Sequence, residues 1–106
     1  MKITRIDNTA VFQNVHSVEA KRIYDSENAE VIHMSLQPGQ SLKKHVTPVD
    51  VFFYILEGKG TVEIGDEKQV VQRDVLIESP KDIPHLLQNS GDIVFRFLVV
   101  KIPKPK

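Results

Sequence analysis

The stretch Val51–Leu56, with the sequence VFFYIL, restricts the possible folds of this chain more than any other segment. Its residues are all apolar or aromatic, and Val, Ile, Phe and Tyr are typical of β-strands. Because successive side chains of a strand point to opposite faces, both faces of this strand are apolar and both must be covered. One face would pack in the interior of a sandwich or barrel, and an N-terminal strand or a second subunit would cover the other.

The rest of the chain has the pattern of a β-protein, in which short apolar segments alternate with turns at a spacing of roughly ten residues. The other predicted strands are Val18–Tyr24, Ala29–Leu36, Leu42–Val46, Thr61–Ile64, Gln69–Val71, Val75–Glu78, His85–Gln88 and Ile93–Lys101. No segment has the apolar period of an amphipathic helix. The sequence therefore predicts an all-β sandwich or barrel of roughly nine or ten strands.

Length and charge exclude several classes of protein. The chain has 106 residues, which is enough for one domain with a hydrophobic core. Its 14 basic and 14 acidic residues are well mixed and give a formal net charge of +0, so no basic stripe predicts nucleic-acid binding and no charged tail predicts membrane binding. The absence of cysteine excludes disulfides, thiolate catalysis and cysteine-ligated zinc.

No apolar run approaches the roughly 18 residues that a membrane span requires. The N-terminal MKITRIDNTA lacks the apolar centre of a signal peptide. We therefore expect a soluble cytoplasmic protein.

Residues 29–101 resemble the cupin superfamily, whose first motif is Gly, five residues, His-x-His, three or four residues, Glu, six residues and Gly. Here Gly39 is followed by five residues and then His45. Thr47 occupies the second histidine position. Counted back from Gly58, Val51 occupies the glutamate position. The chain is thus similar to a cupin whose metal-binding motif is degenerate.

The second cupin motif is Gly, five residues, Pro-x-Gly, two residues, His, three residues and Asn. Pro80, His85 and Asn89 match it, whereas Asp74 and Asp82 stand at the two glycine positions. Aspartate tolerates the left-handed backbone conformation that glycine often supplies, although less readily. The scaffold positions of this motif therefore match well.

The resemblance implies a small single-domain cupin, with a double-stranded β-helix or jelly-roll barrel and a ligand cavity at one end. The domain would span residues 1–106, with a core of about 29–101 and an N-terminal arm of 1–28. Many cupins hold a divalent metal through three histidines and one glutamate and catalyse dioxygenation, isomerisation or decarboxylation. Others only bind small molecules or act as sensing domains, and the fold alone does not choose among these functions.

His45 and His85 are the candidate metal ligands, because antiparallel strands could bring them together inside the barrel. Imidazole suits Zn, Fe, Ni, Cu and, less well, Mn, but most sites have three or more protein ligands, so two would hold an ion weakly. Thr47 is at best a poor neutral ligand, and Val51 cannot coordinate a metal. The alternative is a pair of cavity histidines without a cofactor, hydrogen-bonded to each other, to Thr47 or to a ligand.

The cavity wall is predicted to be mostly apolar. In the cupin orientation Val51, Phe53 and Ile55 share the inward face with His45, and Leu87 shares the face of His85. The candidate ligand-binding residues are therefore His45, Thr47, Val51, Phe53, His85 and Leu87. Such a wall suits a small organic ligand, although the apolar side chains could instead simply fill a small barrel.

Two further histidines, His33 and His16, lie outside the two cupin motifs. His33 lies on the opposite face of its strand from Ile32 and Met34, so it is either a third ligand in the cavity or a structural or solvated residue. His16 lies in a segment without a clear pattern, and we expect it at the surface.

Arg96 lies in the otherwise apolar strand VFRFLVV. A buried arginine requires a carboxylate or an anionic ligand as partner. We expect Arg96 to be partly exposed and paired with a glutamate on a neighbouring strand. Possible acidic partners are Glu57, Glu78 and Asp82.

Two hypotheses for function follow. The first is a cupin that binds a small organic molecule in a cavity lined by His45 and His85. The alternative is a metal-dependent enzyme of the dioxygenase or isomerase kind that uses these two histidines as ligands. In either case the outer face of Val51–Leu56 and the long last strand predict a homodimer.

Overall fold

The computed structural model describes all of residues 1–106 and consists almost entirely of β-strands. One 3-10 turn, Ile6–Asn8, precedes eight strands. The strands are β1 (Glu19–Asp25), β2 (Glu30–Leu36), β3 (Asp50–Glu57), β4 (Lys59–Ile64), β5 (Glu67–Gln72), β6 (Leu76–Ser79), β7 (His85–Gln88) and β8 (Phe95–Ile102). The all-β prediction is confirmed. None of the helical structure has the length and apolar character of a membrane span.

The strands form two antiparallel sheets that enclose one core. The larger sheet has the order β1-β2-β8-β3-β6, and the smaller has the order β5-β4-β7. In the larger sheet Ile32, Val99 and Phe53 lie side by side on the inner face. In the smaller sheet the buried Val62 and Leu87 face each other across β4 and β7. These residues belong to one cluster of 15 buried apolar side chains.

Strand β3 contains the apolar stretch that dominates the sequence, and its side chains alternate as expected. Val51, Phe53 and Ile55 point inward and are at most 4% exposed. Phe52 and Tyr54 point to the outer face and remain half-buried. The inner face is therefore covered completely by the chain itself, whereas the outer face is covered only in part.

The prediction of a regular strand over Leu42–Val46 is wrong. This segment forms only two isolated bridges to β7, Ser41 with Gln88 and His45 with His85. Between the two bridges the segment advances by four residues, from 41 to 45, whereas β7 advances by three, from 88 to 85, so the register slips and no continuous ladder forms. The segment is nevertheless tied to β7 at Leu42, whose N–H donates to Leu87 O at 2.9 Å.

The last strand begins at Phe95, two residues later than the predicted Ile93. The buried Asn89 explains the difference, because its Nδ2 donates to Ile93 O at 2.8 Å and to Leu36 O at 2.9 Å. Its Oδ1 also accepts the N–H of Gly91 at 2.9 Å. This side chain therefore holds residues 89–93 as a loop.

Three tight turns require a left-handed backbone. Gly58 has φ of +83°, and a Cβ at this position would collide with the backbone carbonyl of Val94. Asp74 and Asp82 have φ of 69° and 65°. Both aspartates thus adopt the left-handed conformation that aspartate tolerates, although less readily than glycine.

Candidate functional site

The fold brings His45 and His85 into direct contact at one end of the two sheets. Their backbones form a bridge in which each N–H donates to the other residue's carbonyl, at 3.2 and 3.0 Å. Their Nε2 atoms lie 3.2 Å apart, and the two ring planes are nearly perpendicular at 89°. Two histidines forty positions apart in sequence are thus one structural unit.

The hydrogen bonds of the outer ring nitrogens indicate which nitrogen carries the proton in each imidazole. His45 Nδ1 lies 3.1 Å from the carbonyl of Lys43, which can only accept, so His45 carries its proton on Nδ1 and has a lone pair on Nε2. His85 then donates from Nε2 to His45 Nε2, because two facing lone pairs would repel. His85 Nδ1 accepts the hydroxyl proton of the buried Ser79 at 2.7 Å.

His85 is neutral near pH 7. Burial, supported by the nearby positive charges of His45, Lys101 and His16, lowers the pKa of His85 from 6.5 to about 4. Thr47 Oγ1 lies 3.4 Å from His85 Nε2, and both residues are buried. His85 and Thr47 are therefore uncharged hydrogen-bonding groups of the site.

His16, which was expected at the surface, is a third imidazole of this site, so that expectation is wrong. Its ring centroid lies 4.8 Å from that of His45. Its Nδ1 accepts the backbone N–H of Lys43 at 2.8 Å, and Asn14 Oδ1 accepts the N–H of His16 at 3.0 Å. Burial, followed by the charges of His45, Lys101 and Lys43, lowers the pKa of His16 to about 4.

Because the Lys43 N–H can only donate, His16 Nδ1 must be the acceptor and its Nε2 carries the proton. His16 thus offers a donor rather than a lone pair at Nε2. The only sequence signal for its position is Asn14, whose side chain bonds neighbouring backbone groups as an Asx turn would.

A cavity of about 220 Å³ lies beside these histidines. Of the six candidate ligand-binding residues, His45, Thr47, Phe53 and His85 line it. Val51 instead lines a separate cavity of about 310 Å³ with Asp50 and Ser79, and Leu87 is fully buried in the core. The further residues of the wall are Phe12, Asn14, Val15, His16, Arg22, Glu30, Ile32, Met34, Leu42, Val99 and Lys101.

Three charged residues of this wall were not singled out in the sequence. Glu30 is 6% exposed, and its carboxylate accepts from Arg22 Nε at 2.7 Å and lies 3.7 Å from Lys101 Nζ. The Arg22 guanidinium also stacks 4.5 Å above the ring of Phe12. The alternation that places Ile32 and Met34 inward also places Glu30 inward, so the pattern contained this signal.

The other two sequence candidates lie on the opposite face of the larger sheet. His33 is buried, but it accepts from Arg96 Nε at 3.1 Å rather than reaching the cavity or water. Arg96 also donates to Glu57 Oε1 at 3.0 Å, which confirms the predicted pairing with a glutamate of a neighbouring strand. Burial and the Arg96 charge lower the pKa of His33 to about 4.

The donor set fits a metal ion only in part. Two nitrogens bound to one ion at about 2.1 Å lie about 3.0–3.4 Å apart, which matches the 3.2 Å between His45 Nε2 and His85 Nε2. Lys43 O and Ser79 Oγ contact the other ring nitrogens, as second partners of metal-bound histidines do. However, no three His, Cys, Asp or Glu side chains are grouped so that they could hold a metal. The pair can supply two coordination positions, and water or a ligand would have to fill the others.

Comparison with known proteins identifies relatives over most of the chain. The sequence model of the family described as Cupin domain matches residues 32–101. The uncharacterized protein MJ0764 of Methanocaldococcus jannaschii is 26% identical over 87 residues, which are 81% of this chain and 75% of that protein.

Solved structures share the whole architecture. The crystal structure of TT1209 from Thermus thermophilus is 28% identical, with a TM-score of 0.85 over 99% of this chain and 100% of that chain. A predicted oxalate decarboxylase from Thermotoga maritima is 21% identical, with a TM-score of 0.86 over 96% of this chain and 99% of that chain. These likenesses confirm the predicted double-stranded β-helix.

Proposed function

The chain belongs to the cupin domain family, and on this premise we propose that it binds a small organic molecule in the cavity beside His45 and His85. The observation that supports this most directly is the pairing of two histidines, one of them buried, at the wall of a cavity of about 220 Å³ whose exposed surface is more apolar than polar. A fold does not need such a pair for packing alone, because buried polar groups cost free energy unless they are fully bonded. A mostly apolar wall with a few convergent polar groups is typical of sites for small molecules.

A metabolite screen by thermal shift tests this proposal. A ligand at a hundred times its Kd stabilises the folded state by about 2.7 kcal/mol, which raises the midpoint measurably. We expect binders of the wild type to lose affinity in the Thr47→Val and His45→Ala variants. Ser90→Ala is the matched control, because Ser90 is exposed and bonds only Thr61. Ligands that bind all four proteins equally would contradict the proposed location.

The second candidate is a metal-dependent enzyme of the dioxygenase or isomerase kind. The Nε2–Nε2 distance of 3.2 Å favours it, since both nitrogens could bind one Zn, Fe, Ni, Mn or Cu ion. His85 would then carry its proton on Nδ1 and donate it to Ser79 Oγ. When bound, such a metal would polarise an oxygen ligand. With two protein ligands it would be held weakly.

Elemental analysis of protein purified without chelator distinguishes the two candidates. The enzyme hypothesis requires about one equivalent of a transition metal per chain, lost in the His45→Ala, His85→Ala double variant. His33→Gln is the control, because His33 lies on the opposite face of the sheet. A double variant that keeps its metal content would rule out these residues as ligands.

We further propose that the protein is a cytoplasmic homodimer formed through the outer face of the larger sheet. Phe52 and Tyr54 remain half-buried there, and Tyr24 and Leu76 are 56% and 50% exposed. A second copy would cover this apolar surface. A monomeric mass by light scattering at micromolar concentration would contradict the dimer.

A further inference from the structure

We propose that the cavity binds a carboxylate group, held by Arg22, Lys101 and the Nε2–H of His16, so that the ligand is a small organic acid with one negative charge. This inference names the ligand class of the proposed function and rests on it. Its support comes from groups outside the His45–His85 pair, namely the charged side chains of the wall and His16 of the N-terminal segment.

The charges of the wall do not balance. The wall contains two permanent cations, Arg22 and Lys101, and one carboxylate, Glu30. His16 and His85 each accept a hydrogen bond at Nδ1, from Lys43 N–H and from the Ser79 hydroxyl, so each ring has a lone pair there and adds no charge. The cavity therefore has one positive charge in excess, and a ligand with one negative charge would neutralise it.

The cations also retain free donors. Glu30 uses only Nε of Arg22, at 2.7 Å, so the two terminal guanidinium nitrogens are available to a ligand. Lys101 Nζ is 3.7 Å from Glu30, beyond the usual length of a hydrogen bond, and its side chain is only 22% exposed. An arginine fork matches the two oxygens of a carboxylate, and a partly desolvated charge pair is stronger than one in water.

The Arg22 guanidinium is held in place before any ligand binds. Its Nε bonds the buried Glu30, and its plane packs on Phe12 at 4.5 Å. His16 is held from both sides, since the Lys43 N–H donates to its Nδ1 and its own N–H donates to Asn14. The proton that this arrangement leaves on His16 Nε2 is a further donor without a partner in the chain. Fixed donors lower the cost of ordering on binding.

The rest of the wall suits a ligand whose part beyond the carboxylate is apolar. Ile32, Met34, Phe53 and Val99 line the same cavity with apolar side chains. An acid whose carboxylate lies at Arg22 would place this apolar part against them. A short-chain or aromatic monocarboxylate matches a cavity of about 220 Å³.

The test is an NMR titration with acetate and with acetamide, which is nearly the same shape but uncharged. Acetate is small enough to enter the cavity whatever the shape of the natural ligand. We expect acetate to shift the resonances of His16 and the Arg22 side chain to saturation, and acetamide to leave them unchanged. Benzoate and benzamide then test the apolar part in the same way, and benzoate should bind more tightly than acetate.

Substitutions test which side chains bind the acetate. Arg22→Gln and Lys101→Gln should each weaken acetate binding by about tenfold, which is the loss of one good charged contact. Lys68→Gln removes the same charge from the exposed hairpin of the smaller sheet and should change nothing.

Three results would overturn the inference. Acetamide could shift the same resonances as acetate, Lys68→Gln could weaken binding as much as Lys101→Gln, or no carboxylate could bind at all. Tighter binding of a dianion such as oxalate than of a monoanion would also contradict the charge balance. The proposed function fails separately, if no compound of the metabolite screen, charged or neutral, binds at this cavity or if every binder is insensitive to Thr47→Val and His45→Ala.

Discussion

The Nε2 atoms of His45 and His85 face each other at 3.2 Å, and the Lys43 carbonyl behind His45 decides which of the two rings donates. Lys43 O accepts from His45 Nδ1, and Ser79 Oγ donates to His85 Nδ1. The two rings therefore share one hydrogen bond from His85 to His45. A bound metal would require both Nε2 atoms to be free of protons, so the same geometry allows two distinct protonation patterns.

Protonation of the rings can be measured directly. In protein freed of metal by chelator, we expect long-range ¹H–¹⁵N spectra near neutral pH to show the proton on Nδ1 of His45 and on Nε2 of His85. Two equal tautomers would place two lone pairs or two protons between the rings, and the reversed pair would leave a lone pair of His45 Nδ1 facing the Lys43 carbonyl, which cannot donate. Addition of zinc should move the His85 proton to Nδ1 if the pair binds the ion, with no change at His33. A His85 that is protonated at Nδ1 in the chelated protein would contradict the hydrogen-bond assignment.

Ser79 should be important for stability although it is a small side chain. Ser79→Ala leaves the buried His85 Nδ1 without its donor, and we expect the free energy of unfolding to fall by about 1–3 kcal/mol. Urea denaturation of the two proteins measures the difference. Ser90→Ala, at an exposed serine, is the control and should change stability by less than about 0.5 kcal/mol. Equal effects of the two substitutions would mean that Ser79 does not hold His85.

Asn89 should be one of the most sensitive polar residues of the chain. It is 1% exposed and bonds three backbone groups, the carbonyls of Leu36 and Ile93 and the N–H of Gly91. We expect Asn89→Ala to lower the free energy of unfolding by about 2–4 kcal/mol, because these groups lose their partner in the interior. Asn89→Asp should also destabilise, since a carboxylate cannot donate to the two carbonyls. A nearly neutral Asn89→Asp variant would show that the donor bonds are unimportant.

Stability should fall as the pH is lowered from about 6.5 to about 4. Burial lowers the pKa of His16, His33 and His85 to about 4, whereas an unfolded histidine has its usual pKa of 6.5. The unfolded chain therefore binds more protons in this window, which favours unfolding, and the full stabilisation is present only above pH 6.5. For a histidine as buried as His85, the free energy of unfolding lost through this effect is at most about 3 kcal/mol, because each pKa unit is worth about 1.4 kcal/mol.

Urea denaturation across this pH range measures the effect, and the His33→Gln variant should show a shallower fall than the wild type. The stability of the variant at pH 7 does not affect this comparison, because only the slope of the free energy of unfolding against pH is compared. A slope that is the same in both proteins would contradict the lowered pKa of His33.

The local pattern of the chain determined the fold class and much of the scaffold. Alternation in Val51–Leu56 and Ala29–Leu36 predicts which side chains face inward, since that depends only on strand geometry. The turns at Asp74 and Asp82 followed from their backbone requirement, and the partnership of Arg96 with a glutamate followed from the cost of burying an unpaired charge. Each of these depends on residues that are close in sequence or on one elementary interaction.

Which residues form the site depends on contacts between segments distant in sequence, and no local pattern predicts these contacts. His16 joins the histidine pair because the N-terminal segment folds back onto Lys43, and Val51 and Leu87 lie away from the cavity of about 220 Å³ although they share a face with residues that line it. Likewise, the segment Leu42–Val46 is not a strand, because its register against β7 slips by one residue between the two bridges. Alternation specifies the face of a sheet to which a side chain points, but position along the barrel, and hence membership of the cavity, is decided only when segments distant in sequence pack together.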